Sequence, residues 1–263
     1  MALSTELDQD NATKYAPTPQ VEPSPRWVRV KFGGETLADS KRVLLLIQYG
    51  PQGLPTYYFP QEDVKIALLT PGTRQDERGK LTYWHVKVGD QLAENAAWSY
   101  LDPPEALTDL EGYYSFEWGK KFVWYEEAEE VFVHARDPHK RVDVLASSRH
   151  VRVEIAGETV AESRRPFLLF ETGLPTRYYL PRDDVRRTLC EPSDLSTHCP
   201  YKGVASYWSV KVGNHLAENV VWSYPNPIPE QPKLKDLMCF YNEHVDLYVD
   251  GELQQRPQTP WSK

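Results

Sequence analysis

Apolar and polar residues alternate with a period of two in short runs along the chain, and the same runs return later in the same order. VRVKF (28–32) sets Val28, Val30 and Phe32 on one face, and VRVEI (151–155) does the same with Val151, Val153 and Ile155. That period is the signature of half-buried strands. Gly33-Gly34 and Ala156-Gly157 follow and mark hairpin turns. VLLLI and PFLLF are continuous apolar runs, which suit strands covered on both faces. TYYF and RYYL read as aromatic strands, and EEVFVHA and HVDLYVD as late ones. In YWHVKVG, Trp84, Val86 and Val88 share a face while Tyr83, His85 and Lys87 take the other. The helical candidates are PQEDVKIALL and PRDDVRRTLC, each opening on a proline suited to a first helical turn. The pattern predicts a mainly β chain of compact antiparallel domains, each with one short helix.

The recurrence is a tandem duplication. WVRVKFGGETLADSKRVLLL (27–46) returns as HVRVEIAGETVAESRRPFLL (150–169). LPTYYFPQEDV (54–64) returns as LPTRYYLPRDDV (174–185), with Arg177 as an extra residue. YWHVKVGDQLAENAAWSYLDP (83–103) and YWSVKVGNHLAENVVWSYPNP (207–227) agree at 14 of 21 positions. The period, about 123 residues, is that of a whole domain rather than a solenoid unit. The expected organisation is a Pro-rich disordered arm at 1–26, a first repeat at 27–135, a charged connector at 136–149, a second repeat at 150–256 and a tail at 257–263.

Composition narrows the classes. A net charge of -8 disfavours a nucleic-acid binder with a basic footprint. No run approaches the ~20 apolar residues that span a bilayer, so no membrane partner is expected. The N-terminal segment lacks a basic region followed by an apolar one, and Cys190, Cys199 and Cys239 make a poor disulfide framework, so a reducing, cytoplasmic setting is expected. Nucleotide-binding glycine loops, the G-x-S-x-G elbow and H-E-x-x-H are absent. So is the Gly-Ser turn with spaced carboxylates of a nucleotidyltransferase, since Asp8-Gln9-Asp10 is the sole Asp-x-Asp and falls in the arm.

CPYKGVASYWSVKVG (199–213), AENVVWSYPNP (217–227), CFYNEHVDLYVDG (239–251) and the stretch 124–153 together resemble the bacterial and fungal domain-of-unknown-function-427 family in its two-copy form. The resemblance covers roughly residues 27–252, and the second copy is the closer match. In the first, ERGKLTYW replaces PYKGVASYW, so Arg78 stands opposite Lys202, and QYGPQG is inserted. The resemblance implies a β-tent architecture, two antiparallel sheets meeting at a steep angle. Similar folds include the drug-binding domain of cereblon and methionine-R-sulfoxide reductases. Many of those hold a structural zinc on paired C-x-x-C motifs, which this chain lacks, so neither a metal nor another cofactor is expected. Fold likeness implies no activity.

Three constellations carry candidate chemistry. Tyr83, Trp84, Trp98 and Tyr100 repeat as Tyr207, Trp208, Trp222 and Tyr224. Their flat faces suit an aromatic ligand pocket, although Trp84 and Trp208 are in phase with core valines. Glu94-Asn95 and Glu218-Asn219 precede the later tryptophans, and Asn is at home in a turn. Lys202 is a candidate electrostatic anchor and Glu218 a candidate acid or base; a solvated lysine is the plainer reading. Glu126, Glu127, His134, Arg136, Asp137 and Arg141 crowd the join between the copies. They are read first as an interface network, then as a solvated edge, and last as a catalytic group. His198-Cys199 with Cys190 is a weak redox or metal cluster.

The function expected from the residues is a duplicated small-molecule-binding β module whose ligand is unnamed. An isomerase, cyclase or hydrolase with its site in the second copy is the alternative. A structural or protein-interaction role is the third.

Overall fold

The computed structural model describes residues 19–48, 54–75, 81–119 and 121–262. The insertion residues 49–53, Arg78 and arm residues 1–18 lie outside the described residues. Two compact units divide between Asp137 and Pro138.

The first unit contains β1 (Gln20–Pro23), β2 (Val28–Phe32), β3 (Glu35–Ser40), β4 (Leu44–Ile47), β5 (Thr56–Pro60), β6 (Leu69–Gln75), β7 (Leu81–Val88), β8 (Gln91–Tyr100), β9 (Tyr113–Phe116), β10 (Phe122–Glu126) and β11 (Glu129–Val131). The second contains β12 (Val142–Ala146), β13 (Val151–Ile155), β14 (Glu158–Ser163), β15 (Phe167–Glu171), β16 (Arg177–Pro181), β17 (Cys190–Cys199), β18 (Gly203–Val212), β19 (His215–Ser223), β20 (Leu237–Phe240), β21 (Asp246–Val249) and β22 (Glu252–Leu253). Each unit has a seven-stranded sheet, ordered β1-β4-β5-β9-β8-β7-β6 and β12-β15-β16-β20-β19-β18-β17. Each also has a four-stranded sheet, β11-β10-β2-β3 and β14-β13-β21-β22. The repeat in sequence is thus a repeat in topology, mainly β and antiparallel as the pattern predicts.

Two segments change assignment. β1 belongs to the expected arm, yet it pairs with β4 from Gln20↔Ile47 to Pro23↔Leu44. Its prolines hide the strand, but Pro23 closes an edge strand, where the missing N–H costs little. β12 belongs to the expected connector and pairs with β15 from Val142↔Glu171 to Ala146↔Phe167. Its apolar Val142 and Val144 alternate inconspicuously among charges. The two predicted helices are each a pair of single 3-10 turns, Gln61–Asp63 with Ile66–Leu68 and Arg182–Asp184 with Arg187–Leu189. An aspartate from each first turn pins the β3–β4 or β14–β15 corner. Ser40 and Ser163 donate to Asp63 and Asp184 at 2.6 Å, and Arg42 and Arg165 pair with them at 3.0 and 2.8 Å.

The small sheet packs on one face of the large one. In the second unit Val151, Val153 and Ile155 meet Leu180, Val221, Met238 and Phe240. Strand alternation sends Tyr179, Trp222, Leu237 and Cys239 to the opposite face, where they form a separate cluster with Tyr207, Tyr224 and Leu234. The equivalent first-unit cluster holds Leu46, Tyr58, Leu107 and Leu110, with Trp98 and Tyr100 against it.

Candidate functional site

A transverse row of side chains crosses the second large sheet on this outer face. Cross-strand registers run Tyr207↔Trp222, Trp222↔Cys239, Cys239↔Tyr179 and Tyr179↔Phe167. Directly opposed residues lie close enough to pack side by side. Trp222 is buried, and its indole N–H donates to the Tyr179 hydroxyl at 3.0 Å. Tyr241 closes on the indole with ring centroids 4.5 Å apart. The Tyr207 hydroxyl meets Thr197 Oγ1 at 2.7 Å. Burial pushes the Tyr179 and Tyr224 phenols well above their ordinary range, so both stay neutral.

Charge is set into this aromatic face. Arg177 lies opposite Leu169, two residues before Tyr179 on the same strand face. Its guanidinium forms a two-pronged pair with Glu243 at 2.6 and 2.7 Å, with side chains only 8% and 0% exposed. It also faces the rings of Trp222, Tyr241 and Trp261 at 5.6, 5.8 and 5.6 Å. Glu171, at the end of β15, receives two ammonium groups: Lys202 in close contact, and Lys140 at 3.2 Å. Lys140 in turn stands over the Tyr201 ring at 5.5 Å.

The electrostatics follow from burial opposed by pairing. Burial works to raise the Glu171 carboxyl, but Lys202 and Lys140 outweigh it and hold it below the usual carboxylate range. Burial works to lower Lys202; Glu171 outweighs it and holds the ammonium above the usual lysine range, while Arg177 opposes from nearby. Glu243 is likewise held low by Arg177 and the Thr259 hydroxyl against burial. Lys140, Arg177 and Lys202 thus stand with Glu171 and Glu243 beside neutral aromatic rings.

The first repeat keeps the aromatic geometry with a neutral residue at the Arg177 position. Trp98 donates to the Tyr58 hydroxyl at 3.0 Å, matching Trp222 and Tyr179. Tyr83 opposes Trp98, and Tyr100 stacks on Tyr58 at 6.1 Å. Thr56 occupies the register position of Arg177, opposite Leu46, and its buried hydroxyl has no partner among the described residues. Ser115 replaces Cys239 opposite the tryptophan and donates to the Tyr57 carbonyl at 2.8 Å.

The remaining sequence candidates fall elsewhere. Trp84 and Trp208 pack into the cores between the sheets, as their phase with the valines predicts. Glu218 is exposed near the turn of the β18–β19 hairpin, whereas Lys202 sits at its far end, bonded through its carbonyl to Ile228. At about 3.3 Å per residue that separation is roughly 20 Å, so Lys202 and Glu218 do not share a site. Asn95 and Asn219 adopt φ of 52° at a bulge in each hairpin. The Asn95 side chain accepts from the backbone of Thr73 and Arg74, and Asn219 meets the Ser193 hydroxyl at 2.5 Å. Both act as bulge residues.

Among the join residues, Glu126 binds Tyr57 at 2.9 Å and Arg26 at 3.0 Å, and Glu127 accepts from the Trp27 backbone at 2.9 Å. These bonds all lie inside the first unit. His134 is buried, with Nδ1 at 2.7 Å from the Ala135 carbonyl; Arg136 and Asp137 are half-buried. Arg141 pairs with nearby Asp143 at 2.8 Å. Cys190 and Cys199 end β17 at opposite extremities. Burial pushes the Cys239 thiol up to about 12, which leaves little reactive thiolate.

Of the residues gathered on this face, sequence reasoning singled out Tyr207, Trp222, Tyr224 and Lys202, and did not name Arg177, Glu171, Glu243, Lys140 or Tyr241. One signal was present: Arg177 is a charged insertion into an otherwise repeated aromatic strand.

No curated protein matches the chain. Residues 20–127 and again 143–251 match the family model described as domain of unknown function DUF427. Both matches start at or near the first strand of a large sheet, β1 or β12, and end in the small sheet. The chain therefore belongs to this family, and it carries two copies of the domain in tandem.

Proposed function

We propose that the second repeat is a binding module for a small anion with a flat, unsaturated portion. The observation that carries this reading is the convergence of two buried ion pairs, Arg177–Glu243 and Lys202–Glu171, on one aromatic face. Burying ion pairs is a poor route to stability, since apolar replacements of similar size are often neutral or stabilising. Thr56 and Ser115 stand at the equivalents of Arg177 and Cys239, so the sheet itself does not require this charge. Convergent charged groups among aromatic walls are the ordinary make-up of a small-molecule site. Lys202 and Lys140 supply the anion's partners, and Tyr207, Trp222 and Tyr241 supply its apolar bed. Lys202 is held protonated by Glu171, which suits an anchor and not a base.

Benzoate is the smallest probe with both features, and inorganic phosphate carries charge alone. Titration calorimetry on the full chain is expected to show benzoate binding, with a change in Trp222 emission. Lys202→Met is expected to weaken it by about tenfold or more, the scale of a charge-assisted hydrogen bond. Phosphate binding as tightly as benzoate would remove the aromatic part of the reading. Absence of binding by either probe, or benzoate affinity indifferent to Lys202→Met, would overturn it.

A further inference from the structure

Beyond β22, residues 257–262 turn back onto the second unit rather than trailing away. Thr259 Oγ1 donates to Glu243 at 2.6 Å, on the same carboxylate that Arg177 grips. The Trp261 carbonyl meets His244 Nε2 at 2.7 Å, and the His244 ring packs edge-on to Tyr241 at 5.9 Å. The Trp261 indole stands 5.6 Å from the Arg177 guanidinium, the same distance as Trp222. The segment also holds its own shape. Ser262 donates to the Pro257 carbonyl at 3.2 Å, the Thr259 N–H bonds to Ser262 Oγ at 2.9 Å, and the Ser262 N–H bonds to the Thr259 carbonyl at 3.0 Å. It is a small preformed turn attached at three points.

Those three points lie on or beside the charged aromatic face: Arg177, Glu243, and His244 packed on Tyr241. The attachment is shallow, because Trp261 remains 42% exposed and Gln258 and Pro260 are exposed. An indole placed against a guanidinium is the contact expected of a flat ligand on this face. We infer that the Pro257–Ser262 turn is a releasable strap over the site, with Trp261 occupying on Arg177 the position that the flat part of a bound anion takes. The inference rests on the binding reading of the second repeat. It adds that the free protein is self-occupied and that ligand and strap compete. The apparent affinity is then the intrinsic one reduced by the fraction of strap-open molecules.

The test uses the full chain with Trp261→Leu, and separately Thr259→Ala, which loosens the strap while keeping its ring. Benzoate is titrated by calorimetry, and hydrogen exchange is read at the Tyr241–His244 amides without ligand. Both variants are expected to bind benzoate more tightly than the parent, by about fivefold or more. Exchange at those amides is expected to rise in both variants. Benzoate bound equally by parent and variants would overturn the strap and leave the site standing. Benzoate bound by none of the three would overturn the site itself, and the strap with it.

Discussion

Trp98 and Trp222 occupy matching positions on matching strands, and each donates to a tyrosine hydroxyl at 3.0 Å. Around Trp98 the face is finished with Thr56, Ser115, Leu107 and Leu110. Around Trp222 it is finished with Arg177, Glu243, Glu171 and two lysines, under a turn bearing Trp261. One fold thus carries the same aromatic pair in a plain setting and in a charged one. The difference separates what the sheet needs from what has been added to it. Bulge asparagines, corner aspartates and the Tyr–Trp bond recur in both repeats and belong to the fold. The buried Arg177–Glu243 pair meets a neutral threonine at its first-repeat register position, so the sheet does not call for it.

The sharpest way to break the comparison is at the position where the repeats differ most. Arg177→Ala leaves the Glu243 carboxylate buried without its guanidinium partner and is expected to cost about 3–5 kcal/mol in urea unfolding. Thr56→Ala removes a hydroxyl that has no partner among the described residues, and is expected to stay within about 1 kcal/mol of the parent. Equal costs at the two positions would erase the distinction drawn here.

Acid unfolding offers a second contrast. The folded Glu171 carboxyl is held below its ordinary value of 4.5, so its pairing stabilises above that pH. The contribution is lost as pH falls through 4.5 toward the folded value. Lys202 is raised above 10.5, so its share is complete below that pH and fades only as pH rises through the folded value. Between these limits the pair is pH-independent. Lys202→Met removes the first-named of the two cations that hold Glu171 low, so the acid loss should be smaller and should be complete at higher pH. Urea midpoints measured from pH 3 to 6 read this shift directly.

Smaller effects sharpen what the repeats share. Trp222→Phe and Trp98→Phe each remove one N–H donor to a tyrosine, at about 1 kcal/mol. The loss should be greater for Trp222, the more buried of the two. Glu218→Gln, at an exposed position, should change stability by less than about 0.5 kcal/mol and leave benzoate binding intact. A loss of binding there would restore Glu218 to the site.

Much of the fold was legible because strand periodicity is local. Val28, Val30 and Phe32 are buried as their alternation predicts, and Trp84 and Trp208 follow their valines into the core. β1 and β12 were not legible, since prolines and charges mask short edge strands whose evidence is the partner strand. The aromatic half of the site could be read from the repeated W-S-Y strings. Its charged half could not, because Glu243 reaches Arg177 across 66 residues and Glu171 reaches Lys202 across 31. Each of these residues alone resembles an ordinary surface charge beside an apolar run. Only the sheet register shows that they are buried together.

The central claim is that the Glu171 triad serves a ligand and not the sheet. The direct measurement is a triple variant, Lys140→Met, Glu171→Leu and Lys202→Met, followed by urea unfolding and benzoate titration on the same preparation. The expected result is stability equal to or above the parent's, with benzoate binding abolished. A variant that is strongly destabilised, or that still binds benzoate as the parent does, would contradict the account.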